Sequence, residues 1–382
     1  MLFKDIPGNK KIKKELISSV DNKRISHAQL FLGGEGSAKL ALAISYAQFL
    51  NCENRGQTDS CDICASCLKY KKLAHPDLFF VFPVLKTTIK TPVSDNFIFE
   101  FRKFIKNNYY TSLDEWIDSF GKQNKTGQKG KIYKDEADNI HKKIRLKNYE
   151  AKYRVILIWM PEKMETRTSN KLLKLLEEPP VGTIFILVSE NTDKLLATIL
   201  SRVQIVKVHD FTEADILSYF SDEKLEVDML RQLKNLTKSN LGRISQLINQ
   251  EASNVDLFEQ YSAWVRQCYK LDIQEISKTT DEISRKGRNF QQLFLSYAIK
   301  MIRECLIYNF SDKDLLKTTK KEESFLVNFS PFIHEKNSVL IVERLEESIQ
   351  SINRNANAKI LFFELSLQMM KLLKVKRKFA VK

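Results

Sequence analysis

The stretch Ala28–Lys39 constrains this chain more than any other. An apolar run, Ala28–Leu32, leads directly into Gly33-Gly34-Glu35-Gly36-Ser37-Ala38-Lys39-Leu40, and a helical pattern follows. A strand, a glycine-rich loop and a helix in that order present backbone N–H groups where they can cradle phosphates. The complete pattern would be G-x-x-x-x-G-K-[ST]. Gly33 fills its first position, Gly36 adds a glycine inside the loop, and Lys39 supplies the lysine. Ala38 stands where the second glycine belongs, and Leu40 where a hydroxyl should hold Mg²⁺. A phosphoryl-transfer site also needs acidic residues after a second apolar strand, to hold the metal and polarise water. The matching strand is Val155–Ile158, but Trp159 and Met160 follow it, and neither binds a cation or takes a proton. Glu162, a little further on, is a poor substitute. Gly33, Gly36 and Lys39 are therefore expected as remnants of a nucleotide site, with no productive binding of ATP or Mg²⁺.

The pattern around this loop is that of a parallel sheet. Near-continuous apolar runs at Ala28–Leu32, Leu78–Phe82, Arg154–Trp159, Thr183–Val188 and Ile205–Val208 alternate with helical stretches. Such runs mark strands buried on both faces and joined by helical crossovers. In Asn170–Pro180, NKLLKLLEEPP, leucines 172, 173, 175 and 176 make one apolar face, and Pro179–Pro180 stop the helix. Beyond Val208 the character changes. Only Gly242 and Gly287 of 11 glycines, and only Pro331 of 8 prolines, lie there. A 3.6-residue periodicity takes over, with a stripe through Phe290, Phe294, Tyr297, Met301 and Cys305 and a second helix over 360–373. Residues 121–134, with three glycines and five lysines, read as an exposed, mobile loop.

Cys52, Cys61, Cys64 and Cys67 are spaced C-x8-C-x2-C-x2-C. Four thiolates at that spacing can close a tetrahedral zinc site, which leaves no open position and is therefore structural. Free thiols, a redox pair or an iron–sulfur cluster are the other readings. Cys268 and Cys305 lack ligand spacing and are expected in the core, and His75 is expected to be structural rather than a fifth ligand.

The chain carries 62 Lys/Arg against 47 Asp/Glu, a net charge of +15. Residues 102–147 hold 12 basic and 6 acidic residues, and 359–382 hold 7 and 1. Those stretches suit a polyanionic partner, or they are solvated surface. No apolar run approaches the ~20 residues needed to cross a bilayer, and the N-terminal residues lack a signal-peptide core. The expectation is a soluble cytoplasmic protein with no membrane partner.

Together these residues resemble a known family. His27-Ala28-Gln29-Leu30-Phe31 before the loop, the inserted four-cysteine module, LLKLLEEPP, Ser201-Arg202 and Asn355-Ala356-Asn357 are similar to the delta-prime family of bacterial DNA polymerase III clamp-loader subunits, which have an AAA+ fold. The resemblance implies a RecA-like α/β domain over 1–208 with the zinc module at 52–67. An all-α lid over 209–252 and an all-α collar over 253–382 would follow. It implies a stationary, non-catalytic member of a hetero-pentamer with motor (gamma/tau) and delta subunits, loading the sliding clamp onto primed DNA as part of the DNA polymerase holoenzyme. Motor subunits share the zinc module and LLKLLEEPP but keep intact GK[ST] and Asp-Glu motifs. The family's Ser-Arg-Cys motif reads Ser201-Arg202-Val203 here, so the resemblance makes Arg202 an arginine finger for ATP held by a neighbour. By the same resemblance Asn191-Thr192 and Arg243 fall at sensor positions. An active motor ATPase and a zinc-dependent nucleic-acid-binding protein remain as alternatives.

Overall fold

The computed structural model describes the chain apart from residues 87–90, 121–128, 222–229, 232, 235–236, 238, 252–256, 311–315, 317, 355 and 376–382. The apolar runs form five parallel strands: β1 (Ala28–Leu32), β2 (Leu78–Val81), β3 (Arg154–Trp159), β4 (Thr183–Ser189) and β5 (Gln204–Lys207). Their order across the sheet is β2-β3-β4-β1-β5. Every residue of β3 and β4 is buried, as the apolar runs Val155–Trp159 and Ile184–Val188 at their centres require. β5 departs from that expectation. It is the sheet edge beyond β1, three of its four residues are exposed, and Gln204 and Lys207 flank its two apolar residues.

Helix α1 (Lys10–Asp21) precedes β1, and α2 (Lys39–Leu50) follows the glycine loop. All twelve residues of α2 are buried, which its sequence KLALAISYAQFL, apolar all round, allows. The short helix α3 (Ala65–Lys71) belongs to the cysteine module, and α4 (Ile98–Asn107), α5 (Leu113–Asp118) and α6 (Lys134–Arg145) lie between β2 and β3. Helix α7 (Thr166–Glu177) ends just before Pro179 and buries Leu172, Leu175 and Leu176. The short α8 (Ala197–Leu200) leads to β5.

Residues 129–134 are tied down, against the expectation of a loose loop. Lys131 pairs with Val84 and Ile132 with Met164 in isolated bridges, and Ile132 is buried. The remainder of that stretch, 121–128, lies outside the described residues.

The chain divides into two compact units, one of residues 1–225 and 239–245, the other of 226–238 and 246–382. The second is helical where described. Leu257–Lys270, Ile273–Arg285, Arg288–Phe310, Glu335–Asn353 and Ala358–Leu373 surround a core of Tyr261, Trp264, Phe294, Met301, Leu326 and Phe362. Trp264 donates its indole N–H to Ser366 Oγ at 2.8 Å inside that core. Cys268 and Cys305 lie there too, as their isolation in sequence suggested. No helix among the described residues is long and apolar enough to cross a membrane.

Candidate functional site

In an open parallel sheet, ligand sites form beyond the carboxyl ends of strands where neighbouring connections diverge. Here β1 lies between β4 and β5, and Leu32 at its end is paired with Ser189 at the end of β4. The glycine loop after β1 and the segment after β4 therefore emerge side by side, and the Gly33 N–H donates to Ser189 O at 3.2 Å.

Lys39 opens α2 and is buried. Its ammonium donates to Gly34 O at 2.8 Å and lies 3.2 Å from Glu190 Oε1. That carboxylate oxygen is itself buried and accepts no hydrogen bond, so its partner is the lysine charge. The Glu190 backbone is fixed by Glu162, which accepts the Glu190 N–H at 3.1 Å and the Ser189 hydroxyl at 2.9 Å. Glu162 thus shapes the end of β4. A second ion pair covers the loop. Arg243 lies 3.0 Å from Glu35 Oε1, and Asn240 Nδ2 donates to the same oxygen at 3.3 Å. Gly36 adopts φ +72°, and a Cβ there would overlap the Asn240 side-chain amide. Both the backbone and the close approach require glycine at that position. Gly33 is confined to a lesser degree, a Cβ there coming within 2.6 Å of Ser37 Oγ and 2.9 Å of Val208 O. Burial of the Glu35 carboxyl pushes its pKa up, with Arg243 opposing and Glu190 adding to the rise.

The places where metal-binding groups were sought after β3 belong to the core. Trp159 is fully buried with its ring 5.6 Å from Phe101, which stacks on Phe82 at 3.7 Å. Met160 is buried in the left-handed conformation at φ 57° and donates its N–H to Val188 O. Leu40 is buried in α2. Of the expected sensor residues, Asn191 caps its own turn, accepting the Asp193 N–H at 2.7 Å. Arg243 does reach the loop. Sequence reasoning missed Glu190, Glu35 and Asn240. The signal for Glu190 was a carboxylate directly after a strand that neighbours β1.

The cysteine module hangs from the other end of α2. Cys52 follows the helix, Cys64 is the N-cap of α3, and Cys67 lies within α3. All four thiols are free, and their sulfurs lie within 4.8 Å of one another. Cys52 Sγ is 3.5 Å from Cys61 Sγ, which is 3.9 Å from Cys67 Sγ. Four sulfurs around a metal at 2.3 Å would be roughly 3.8 Å apart, so the cluster fits a tetrahedral ion. The N–H groups of Cys61, Cys64 and Cys67 donate to the sulfurs of Cys52, Cys61 and Cys64 at 3.3–3.4 Å, favouring thiolates. Asp59, inside the same loop, accepts the Phe3 and Lys4 N–H groups and so fastens the N-terminal turn to the module. His75 stays out of the cluster. It accepts the Asp77 N–H at 3.1 Å and faces Glu150 at 3.2 Å.

Arg202 lies between α8 and β5, with Nε 3.2 Å from Glu177 Oε2 and Nη1 donating to Thr198 O at 3.0 Å. About a third of its side chain, 31%, is exposed. Parts of the two basic stretches are internally paired. Lys143 lies 2.6 Å from Asp95 and Lys359 2.7 Å from Asp281, while Lys376, Arg377 and Lys378 lie outside the described residues.

The chain is similar in sequence to known proteins. Residues 8–212 match the family described as "DNA polymerase III, delta subunit". The DNA polymerase III subunit delta' of Bacillus subtilis is 27% identical over 254 residues, 65% of this chain and 64% of that protein. The DNA polymerase III subunit tau of the same organism is 24% identical over 393 residues, 95% of this chain and 60% of that protein. The chain thus spans about three-fifths of the length of these curated relatives. A solved structure of a DNA polymerase III, gamma subunit-related protein from Thermotoga maritima covers 94% of this chain and 99% of its own, with 14% identity and a TM-score of 0.44. Because the family match extends over more than half of the sequence, this chain belongs to the DNA polymerase III, delta subunit family.

Proposed function

We propose that this chain is the stationary, non-hydrolysing subunit of a DNA polymerase III clamp loader. The observation that carries the reading is the composition of the site at the carboxyl ends of β1 and β3. Trp159, Met160 and Leu40 are core residues where Mg²⁺ ligands would stand, and Lys39 is committed to Glu190. A chain without metal ligands cannot polarise a phosphoryl group or a water in cis. Arg202 is instead the group that acts, presented to ATP held by a neighbouring motor subunit. A planar, permanently charged guanidinium is the residue type suited to charge on a transferring phosphoryl group.

In the same proposal, Cys52, Cys61, Cys64 and Cys67 hold one structural Zn²⁺, which supplies a crosslink and no chemistry. Residues 1–208 form the AAA+ domain, 209–252 the lid and 253–382 the collar that joins the chain to gamma/tau and delta subunits in a hetero-pentamer. The sliding clamp and primed DNA are met through that assembly, in the cytoplasm. The similarity to tau proteins over 95% of the chain favours a second reading, a motor subunit. The missing metal ligands speak against it.

Arg202→Ala in the assembled complex tests the proposal. Folding and assembly should persist while DNA- and clamp-stimulated ATP hydrolysis and clamp loading fall. An arginine finger contributes about 10³–10⁵ in rate at the site it serves, so a ring with several sites should lose only part of its total. Arg202→Lys should not restore full activity, because a point charge lacks the planar fork. Wild-type loading by the Arg202→Ala complex would remove the role.

A further inference from the structure

The remnant phosphate loop lacks a metal ligand, yet most of an anion site is still in place. Lys39 stands at the N-terminus of the twelve-residue α2, where the helix dipole favours negative charge. The Ser37 hydroxyl, buried in the loop, has no hydrogen-bond partner. A buried, unpaired hydroxyl costs free energy that an incoming acceptor would recover. What fills the site is the chain's own carboxylate. Glu190 Oε1 is buried, accepts no hydrogen bond and lies 3.2 Å from Lys39 Nζ.

We propose that Glu190 is a built-in counter-anion that takes the place of a phosphate on Lys39 and so latches the loop shut against polyphosphates. The proposal rests on the non-hydrolysing reading above and deepens it, by making anion exclusion an active property of one side chain.

Three features support the latch. First, the position of Glu190 is imposed by the sheet. Leu32 pairs with Ser189, and Glu162 grips both the Ser189 hydroxyl and the Glu190 N–H, so the carboxylate is delivered to Lys39 without a search. Second, the charges close on themselves. Lys39 and Arg243 are matched by Glu190 and Glu35, at 3.2 Å and 3.0 Å, which leaves no net positive charge among these four groups to attract an anion. A polyphosphate would be pushed against two carboxylates with no Mg²⁺ to screen them, and like charges in contact repel. Third, the cover is close. The Asn240 amide sits where a Cβ of Gly36 would be, and it also holds Glu35. Removing the charge of Glu190 while keeping its shape should therefore release Lys39 to a phosphate, with no requirement for metal.

The full chain and its Glu190→Gln variant would be titrated with a fluorescent ATP analogue in the absence of Mg²⁺, with pyrophosphate as competitor. The wild-type protein should show no saturation up to about 1 mM, the weak end of measurable binding. Glu190→Gln should bind at least about tenfold more tightly, as expected when a like charge is removed. Pyrophosphate should displace the analogue, and Lys39→Ala in the Glu190→Gln background should abolish binding. Glu190→Ala, which removes the side chain altogether, should show the same gain and guards against a fold defect peculiar to the amide. Failure of both variants to bind more tightly than wild type, with unfolding transitions and zinc content unchanged, would overturn the latch. So would wild-type binding as tight as that of the variants. Neither result would touch Arg202. Conversely, hydrolysis by Glu190→Gln once Mg²⁺ is added would leave the latch standing and contradict the claim that missing metal ligands prevent hydrolysis, whereas hydrolysis by the wild-type chain would sink the non-hydrolysing reading.

Discussion

At the N-terminus of α2 the buried Lys39 faces Glu190 at 3.2 Å; two residues beyond its C-terminus, Cys52 faces Cys61 at 3.5 Å. Around the first site Leu40, Trp159 and Met160 are buried core residues, and the Lys39 cation is paired from within. The second has a complete donor set: four free thiols converge, with backbone N–H groups already turned toward three of the sulfurs. Both ends are attached to the same buried helix, so the difference does not come from the scaffold. It comes from the pairing each end permits. An ammonium can be neutralised by a nearby carboxylate, and the site then persists as structure. Four thiolates crowded together repel one another and call for a cation.

The contrast can be attacked most strongly at the cysteine end. Cys64→Ser should cut zinc content from about one ion per chain to nearly none. It should also destabilise the α/β unit by several kcal/mol or more, since metal binding at such a site is folding free energy. Elemental analysis and thermal unfolding read both effects, and the transition of the helical unit should be unmoved. Zinc-free wild-type protein purified without chelator would break the comparison outright.

The next effect belongs to the metal-poor end. Trp159→Ala should cost about 3–5 kcal/mol in urea unfolding, the range for emptying a large aromatic site. Trp159→Asp should cost more and restore no hydrolysis, because the side chain points into the Phe101 and Phe82 cluster. If Trp159→Asp were stable and bound Mg²⁺, the position would be a disabled metal site and not a core position.

Gly36→Ala should have the smallest effect, about 1–3 kcal/mol, from a left-handed backbone and the overlap with Asn240. A neutral result would mean that the Asn240–Glu35–Arg243 cover moves freely off the loop.

How far the sequence anticipated this molecule depends on whether a feature is local. Strand positions were legible because β1, β3 and β4 are continuous apolar runs that nothing else explains. The cysteine cluster was legible because its ligands fall within sixteen residues. Lys39–Glu190 was not, because residues 151 positions apart meet only through the pairing of β1 with β4. Ile132 was hidden for a different reason. One apolar residue in a lysine-rich stretch has no periodicity to betray it, and only its bridge to Met164 draws it into the core. Asn191 shows how local chemistry can be read from sequence in a second way. Its place after β4 matches a family position, and in the structure its Oδ1 also accepts the Asp193 N–H.

The account stands on the claim that the Lys39 end of α2 does no chemistry of its own. Steady-state ATP hydrolysis by the isolated, zinc-replete chain with Mg²⁺ present tests this most directly. The account predicts no turnover above background, unchanged by Lys39→Ala. Turnover of about 1 s⁻¹, at the low end of ordinary enzymes, that vanished in Lys39→Ala would contradict it.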